Sequence, residues 1–233
     1  MSNSCFVYLT LAGALRFFGG YSLGFLSGGF FEERYPDNKD QFAYMNTVVV
    51  VGGGVPASFL GGYIGDRLEK KIGSIKGLIS GVGALCAVPF IIIAYGVQPG
   101  FWGSIISYYF AYLIAEMWYG PAHAQINNMF PSEYQGFAVA FFNLCGAIAG
   151  SIATLILGAL KTKYDDPNDD EKSAETNGII LMAGVLFSYC TCGPLFILSG
   201  MKYSNQLEKN KAEVKRRALE KKAEKTVEMS KTE

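Results

Sequence analysis

Residues 75–97 read IKGLISGVGALCAVPFIIIAYGV. Apart from Lys76 near its start, this run carries no charged side chain. It is slightly longer than the about 20 helical residues needed to cross a hydrocarbon core about 30 Å thick. An isolated strand cannot satisfy its backbone groups in lipid, so the run is expected to be a membrane-spanning helix. Five further stretches pass the same test: Phe6–Phe30, Tyr44–Ile64, Trp102–Met129, Phe137–Leu160 and Ile179–Met201. Six spans are expected. None shows the alternation of a membrane β-barrel.

The composition agrees. Half of the 233 residues are hydrophobic and 17% are charged, against about 25% charged in a typical soluble domain. The charges gather between the apolar runs, in Glu32–Asp40, Asp66–Lys71, Pro131–Gln135 and Lys161–Glu175, with a tight Gln98-Pro99-Gly100 turn at the remaining junction. The 28 glycines suit transmembrane helices, which tolerate glycine better than soluble ones do. Net charge is zero and only the C-terminus is strongly basic, so nothing points to nucleic acid.

Five cysteines lie in or beside apolar runs, and the single histidine gives them no zinc-type partner; they read as small buried apolar residues. There is no phosphate-binding loop and no serine–histidine–acid set. No enzyme activity, cofactor or metal is therefore expected. No cleavable leader is apparent, because Arg16 interrupts the first apolar run and no basic segment precedes it.

Residues 1–203 form the expected transmembrane bundle and residues 204–233 a charged tail. Leu207, Val214 and Leu219 are too sparse there to build a core, so a solvated helix is expected. Six spans put both termini on one side. The tail and the Asp66–Lys76 region share that side and are rich in lysine and arginine, whereas Arg34, Lys39, Lys161, Lys163 and Lys172 lie amid acids on the other. The excess of cations places both termini in the cytoplasm.

At the end of the second span the sequence reads Gly61-Gly62-Tyr63-Ile64-Gly65-Asp66-Arg67-Leu68-Glu69-Lys70-Lys71. This resembles the signature loop of the major facilitator superfamily, which lies between the second and third helices of each six-helix half. Glu69 stands where that family usually has glycine. Trp118-Tyr119-Gly120-Pro121 through Phe130-Pro131-Ser132-Glu133-Tyr134-Gln135-Gly136 is similar to the fourth and fifth helices of the family's second half, with Gln135 where arginine is common.

The resemblance covers Phe6–Met201 and implies an all-α, six-helix half of a major facilitator fold, the C-terminal half, working by alternating access. It also implies that Gly62, Asp66 and Arg67 form a conformational loop in which the acid engages the positive N-terminus of span five near Gly136.

Ionisable groups inside spans are costly and by default face the bundle interior or a wet cavity. Arg16 lies mid-span in the first helix and Glu116 in the fourth; the two are candidates to neutralise each other. Tyr112, Glu116, Tyr119, His123 and Asn127 recur at helical spacing and make a polar stripe. Such a stripe supplies the donors and acceptors that replace a solute's hydration shell, with Glu116 or His123 as carrier of a coupling proton.

The alternative for each is interhelical hydrogen bonding. Asn143 shares a broad face with Gly146 and Gly150 and is a further pathway candidate. Gly146, Gly150, Thr154 and Gly158, like Gly52-Gly53-Gly54 with Pro56 and Ala57, suit close helix packing. Gly120-Pro121 removes a backbone hydrogen bond and is expected to bend the fourth span.

The expected function is secondary transport of a small polar or organic solute in a lipid bilayer, together with a second six-helix half or an identical copy. The alternative is a non-transporting membrane scaffold or complex subunit derived from such a half.

Overall fold

A computed structural model describes residues 4–164 and 170–230, with side chains through Glu208. The described residues are almost wholly helical. α1 (Ser4–Arg34) is the first crossing. A single 3-10 turn at Pro36–Asn38 leads into α2 (Lys39–Thr47), which passes through a wide π-type turn, Val48–Gly54, into α3 (Val55–Glu69). These pieces make the second crossing. α4 (Ile75–Ile92) ends in another wide turn, Ile93–Val97, and is the third. α5 (Phe101–Ala115), a 3-10 turn at Glu116–Trp118 and α6 (Tyr119–Met129) make the fourth; α7 (Ser132–Tyr164) is the fifth and α8 (Asp170–Ser230) the sixth. Among the described residues, five helical stretches are long and apolar enough to span a bilayer, Pro36–Glu69 with its wide turn among them. The fourth crossing is interrupted by the 3-10 turn at Glu116–Trp118.

The charged breaks are narrower than the sequence implies. α1 runs through Glu32 and Glu33 to Arg34, α3 carries Asp66 and Arg67 on its last turn, and α7 starts at Ser132, directly after Pro131. Polar residues at a helix end reach water without leaving the helix, so the backbone continues where the hydropathy stops. The fifth junction shrinks in the same way, because α7 reaches Tyr164 and α8 begins at Asp170; residues 165–169 lie outside the described set. α8 runs on unbroken past residue 203 into the charged tail, as far as Ser230.

Between Ile93–Val97 and α5, the chain reverses at Gln98, with φ 53°, and Gly100, with φ 91°. The second of these is the left-handed conformation that glycine adopts without Cβ strain.

Lipid tails are as apolar as leucine, so helices associate here through close approach rather than through the hydrophobic effect. α1 lies at the centre, against α7 and α8. Rings of α1 enter glycine notches of α7: a Cβ on Gly146 would lie 2.2 Å from Phe17, and one on Gly150 would lie 2.5 Å from Tyr21. α4 and α8 meet backbone to backbone, where a Cβ on Gly77 would lie 2.4 Å from the Phe196 carbonyl and one on Gly81 would lie 2.5 Å from the Gly193 carbonyl.

Both chain-terminal ends of the bundle fall together. Cys5 Sγ donates to the Ser199 carbonyl at 3.3 Å, and Lys202 Nζ lies 5.3 Å from the centre of the Tyr8 ring. Ser204 packs against Gly73 of the α3–α4 connection at the same end.

Candidate functional site

The site starts from a proline. Pro121 has no N–H, so the carbonyl four residues earlier, at Met117, loses its helical donor. The helix tightens there into the 3-10 turn Glu116–Trp118, one turn ahead of the expected Gly120-Pro121 position. Hydroxyls from neighbouring helices meet the disturbed carbonyls: Ser58 Oγ donates to Glu116 O and Ser80 Oγ to Trp118 O, each at 3.4 Å.

Glycines bring the second crossing onto this turn. A Cβ on Gly61 would sit 2.1 Å from Met117 O, and one on Gly120 would sit 2.4 Å from Ser58 O. Pro56 acts in the same way on the second crossing. It leaves the Gly52 carbonyl without a helical donor, and Tyr109 Oη donates to it at 3.4 Å.

The break places Glu116 opposite Arg16. Arg16 Nη2 donates to Glu116 Oε1 at 2.7 Å; the arginine side chain is 2% exposed and the glutamate 19%. The pairing inferred from the two isolated charges is thus present. The guanidinium carbon also lies 4.6 Å from the centre of the Tyr189 ring and 5.7 Å from that of Trp118, within cation–π range. Neither aromatic residue stands out in the linear sequence among 14 tyrosines and two tryptophans.

From the pair, the stripe residues run along the fourth crossing and border two open grooves whose exposed surface is mainly ring and aliphatic carbon. Tyr112, Glu116 and Tyr119 line one groove of about 380 Å3 with Ser58 and Phe59 of α3. Tyr119 and His123 line an adjoining groove of about 460 Å3, again with Ser58 and Phe59, and with Gly62 and Gly120. Four of the five stripe residues therefore share one open face between α3 and the fourth crossing. Asn127 lies beyond it, exposed near the end of α6, where its carbonyl accepts from Gln135 Nε2 at 2.8 Å. Asn143 is half-buried on α7 and lines neither groove. His123 Nδ1 is 3.0 Å from the Tyr119 carbonyl, and its ring packs 4.2 Å from the Tyr119 ring.

Set beside solved structures, this arrangement is similar to a bacterial homolog of the human lysosomal transporter Spinster, solved in an inward-facing, unoccupied conformation. The TM-score is 0.72 at 16% sequence identity, over 86% of this chain and 48% of that one. The chain has the fold of a major facilitator half. It spans about half the length of the structure it matches. Models of known protein families and curated protein sequences give no match.

In this half-fold the Asp66 loop has a different partner from the one the resemblance implied. Asp66 Oδ1 lies 3.0 Å from Lys76 Nζ on α4, rather than being held at the start of α7 near Gly136. Lys76 is 1% exposed and also meets Glu69 Oε2 at 3.0 Å. Tyr203 Oη donates to Glu69 Oε1 at 2.7 Å and accepts from Asn128 Nδ2 at 2.9 Å.

The residue at the family's glycine position, Glu69, is thus an anchor of the network. A carboxylate fixed by a neighbouring lysine and tyrosine replaces the helix-terminus contact. Arg67 lies over the Tyr63 ring at 5.7 Å, and a Cβ on Gly62 would lie 3.7 Å from Gly120 Cα. A second polar tie, Gln125 Nε2 to Ser199 Oγ at 3.0 Å, joins α6 to α8 beside Cys5. At the opposite end Lys161 Nζ meets Glu33 Oε1 at 3.2 Å, and Asn177 donates to Glu33 Oε2.

Proposed function

We propose that the chain is one six-helix unit of a secondary transporter that moves a small polar or organic solute by alternating access, with both termini in the cytoplasm. The observation that carries this reading is the open groove at Glu116. Glu116, Tyr112, Tyr119 and His123 border a mainly apolar face that the bundle itself leaves uncovered. Glu116 reaches this otherwise mainly apolar face, and an ionised group at a lipid-facing surface is costly. A second six-helix unit, either a partner half or another copy of this chain, encloses the face as a wet cavity at the midplane. The second crossing, which forms one wall of the groove, and the fifth are the least buried of the five long spans, as helices that meet a further unit would be. Glu116, tied to Arg16 yet reaching the groove, is positioned to carry a coupling proton.

The test is uptake by proteoliposomes or cells with Glu116→Gln, alongside the abundance of the protein in the membrane. The glutamine carbonyl still accepts from Arg16 Nη2 but carries no charge, so uptake is read per unit of folded protein in the membrane, and that specific uptake falls at least tenfold. Unchanged uptake with Glu116→Gln would sink the reading.

The unbroken course of α8 into the tail favours one second reading, a scaffold whose tail docks a fixed partner. That protein would tolerate Glu116→Gln and lose its copurifying partner when the tail is removed.

A further inference from the structure

The two ends of the bundle treat their cations differently. At the end away from the chain termini, Arg34 meets Glu171 at 3.2 Å, Lys39 meets Glu32 at 2.8 Å and Lys161 meets Glu33 at 3.2 Å. At the terminal end, buried Lys76 takes both Asp66 and Glu69, each at 3.0 Å. Arg67, Lys70, Lys71 and Lys202 are exposed there. Among the described residues, none of these four has an acid within ion-pair distance. The two acids beside them in the chain are already engaged by Lys76.

The four cations gather where α3 and α8 meet. Tyr203 donates to Glu69, and Ser204 packs against Gly73, which sets the end of α3 beside the stretch of α8 that follows Lys202. The α3–α4 connection is pinned by its own hydrogen bonds. The backbone N–H groups of Lys71 and Ile72 both donate to the Leu68 carbonyl at 2.9 Å, and that of Ile75 donates to the Ile72 carbonyl at 3.0 Å. Lys70 and Lys71 are thereby held at the tip, next to Ile72, an apolar side chain left 44% exposed. Arg67 lies over the Tyr63 ring and Lys202 over the Tyr8 ring. Tyrosines of this kind settle at the headgroup level of a bilayer. Of the other acids at this end, Glu133 is on α7 and Glu208 lies further out along α8.

Unpaired cations on one surface repel one another, and an anion between them removes that cost. The anion found at the height where a span leaves the membrane is the lipid phosphate. Lysine and arginine lay their stems along apolar surface while their heads reach it, through charge-assisted hydrogen bonds. An isoleucine beside two lysines fits the boundary between headgroup and acyl chain, where a dissolved phosphate would leave it bare.

We propose that Arg67, Lys70, Lys71 and Lys202 form a docking surface for the headgroups of anionic phospholipids, with Ile72 seated at the acyl boundary. The inference goes beyond the transport reading and does not depend on Glu116. The cytoplasmic placement of the termini sets this surface against the more anionic leaflet.

The experiment titrates the full chain in maltoside micelles with dioctanoyl phosphatidylserine and follows thermal unfolding. Dioctanoyl phosphatidylcholine, which has no net charge, and glycerol phosphate, which has no acyl chains, are the comparisons. Phosphatidylserine raises Tm saturably, with an affinity at least tenfold better than either, and the gain fades at high salt. Lys70→Gln with Lys71→Gln leaves the lipid-free Tm unchanged, since both side chains are exposed and unpaired. It weakens phosphatidylserine binding about 25-fold, at about fivefold for each cation, and Lys202→Gln alone weakens it about fivefold. Lys39→Gln with Lys163→Gln removes the same charge from the opposite end and leaves the affinity unchanged. Removing residues from 209 onward leaves saturable binding in place, because the surface belongs to the bundle.

Any of these results overturns the proposal: no saturable phosphatidylserine shift, equal affinity for phosphatidylcholine or glycerol phosphate, or binding that vanishes with the tail. An equal loss in the two lysine pairs overturns it as well, since net charge alone would then account for the binding. Should the Lys70–Lys71 variant not fold, Lys202→Gln decides: a fivefold loss supports the surface and undiminished binding refutes it.

Discussion

Arg16 and Glu116 are 100 residues apart in the chain and 2.7 Å apart in the fold. Each was conspicuous in the sequence because an ionised group in an apolar run has to be neutralised or hydrated. That logic picks out the charges and their need for each other, but not the aromatic box. Tyr189 and Trp118 flank the guanidinium only because α8 and the 3-10 turn pass there, and aromatic residues are too common in membrane spans to be singled out. Ser58, whose hydroxyl donates to the Glu116 carbonyl, was hidden because its partner lies 58 residues away in the chain. Removing the glutamate's acceptor leaves a buried cation uncompensated. Glu116→Ala is therefore expected to destabilise the bundle by about 3–5 kcal/mol, as for other broken buried pairs. Arg16→Met combined with Glu116→Ala recovers most of that loss. Thermal unfolding of the purified variants reads both outcomes, and a double variant no more stable than Glu116→Ala alone contradicts the assignment.

The fourth crossing shows how a helix turns local chemistry into a site. Its proline was legible at once; what the structure has there is a 3-10 turn at Glu116–Trp118. The position of the tight turn follows from which carbonyl the proline orphans, and its closeness to α3 from Gly61 and Gly120. Gly61→Ala is expected to lower the amount of folded protein sharply, since its methyl meets the Met117 carbonyl. Gly62→Ala, whose Cβ would be 3.7 Å from Gly120 Cα, should be tolerated. Detergent-resistant monodisperse protein on gel filtration measures the contrast, and equal yields for the two would refute it. Neighbouring glycines look identical in a sequence; which one touches a backbone depends on helix rotation.

For the bundle as a unit, polar ties gather at the end where the chain enters and leaves. Gln125 with Ser199, and Lys76 with Asp66, Glu69 and Tyr203, fasten α8 before its charged extension begins. Removing residues from 209 onward should therefore leave the thermal midpoint of the bundle within error while reducing helical circular dichroism. A large fall in the midpoint would show that the extension supports the core. Tyr203→Phe, by contrast, removes the donor to Glu69 and should lower stability by about 1.5–3 kcal/mol, the range for a hydrogen bond to a charged group.

The helical crossings, the membrane as solvent, the two intramembrane charges and the proline of the fourth crossing were all written in the sequence. Each follows from hydropathy over one helix length or from the chemistry of a single residue. Only the tertiary structure decided that Asp66 answers to Lys76, that the stripe leaves the groove before Asn127, and that Gly24 and Gly28 stand clear of any neighbour while Gly146 and Gly150 hold aromatic rings. Those outcomes depend on how helices are rotated and how deeply they interlock. Contacts between distant segments set that geometry, and local composition carries no record of it.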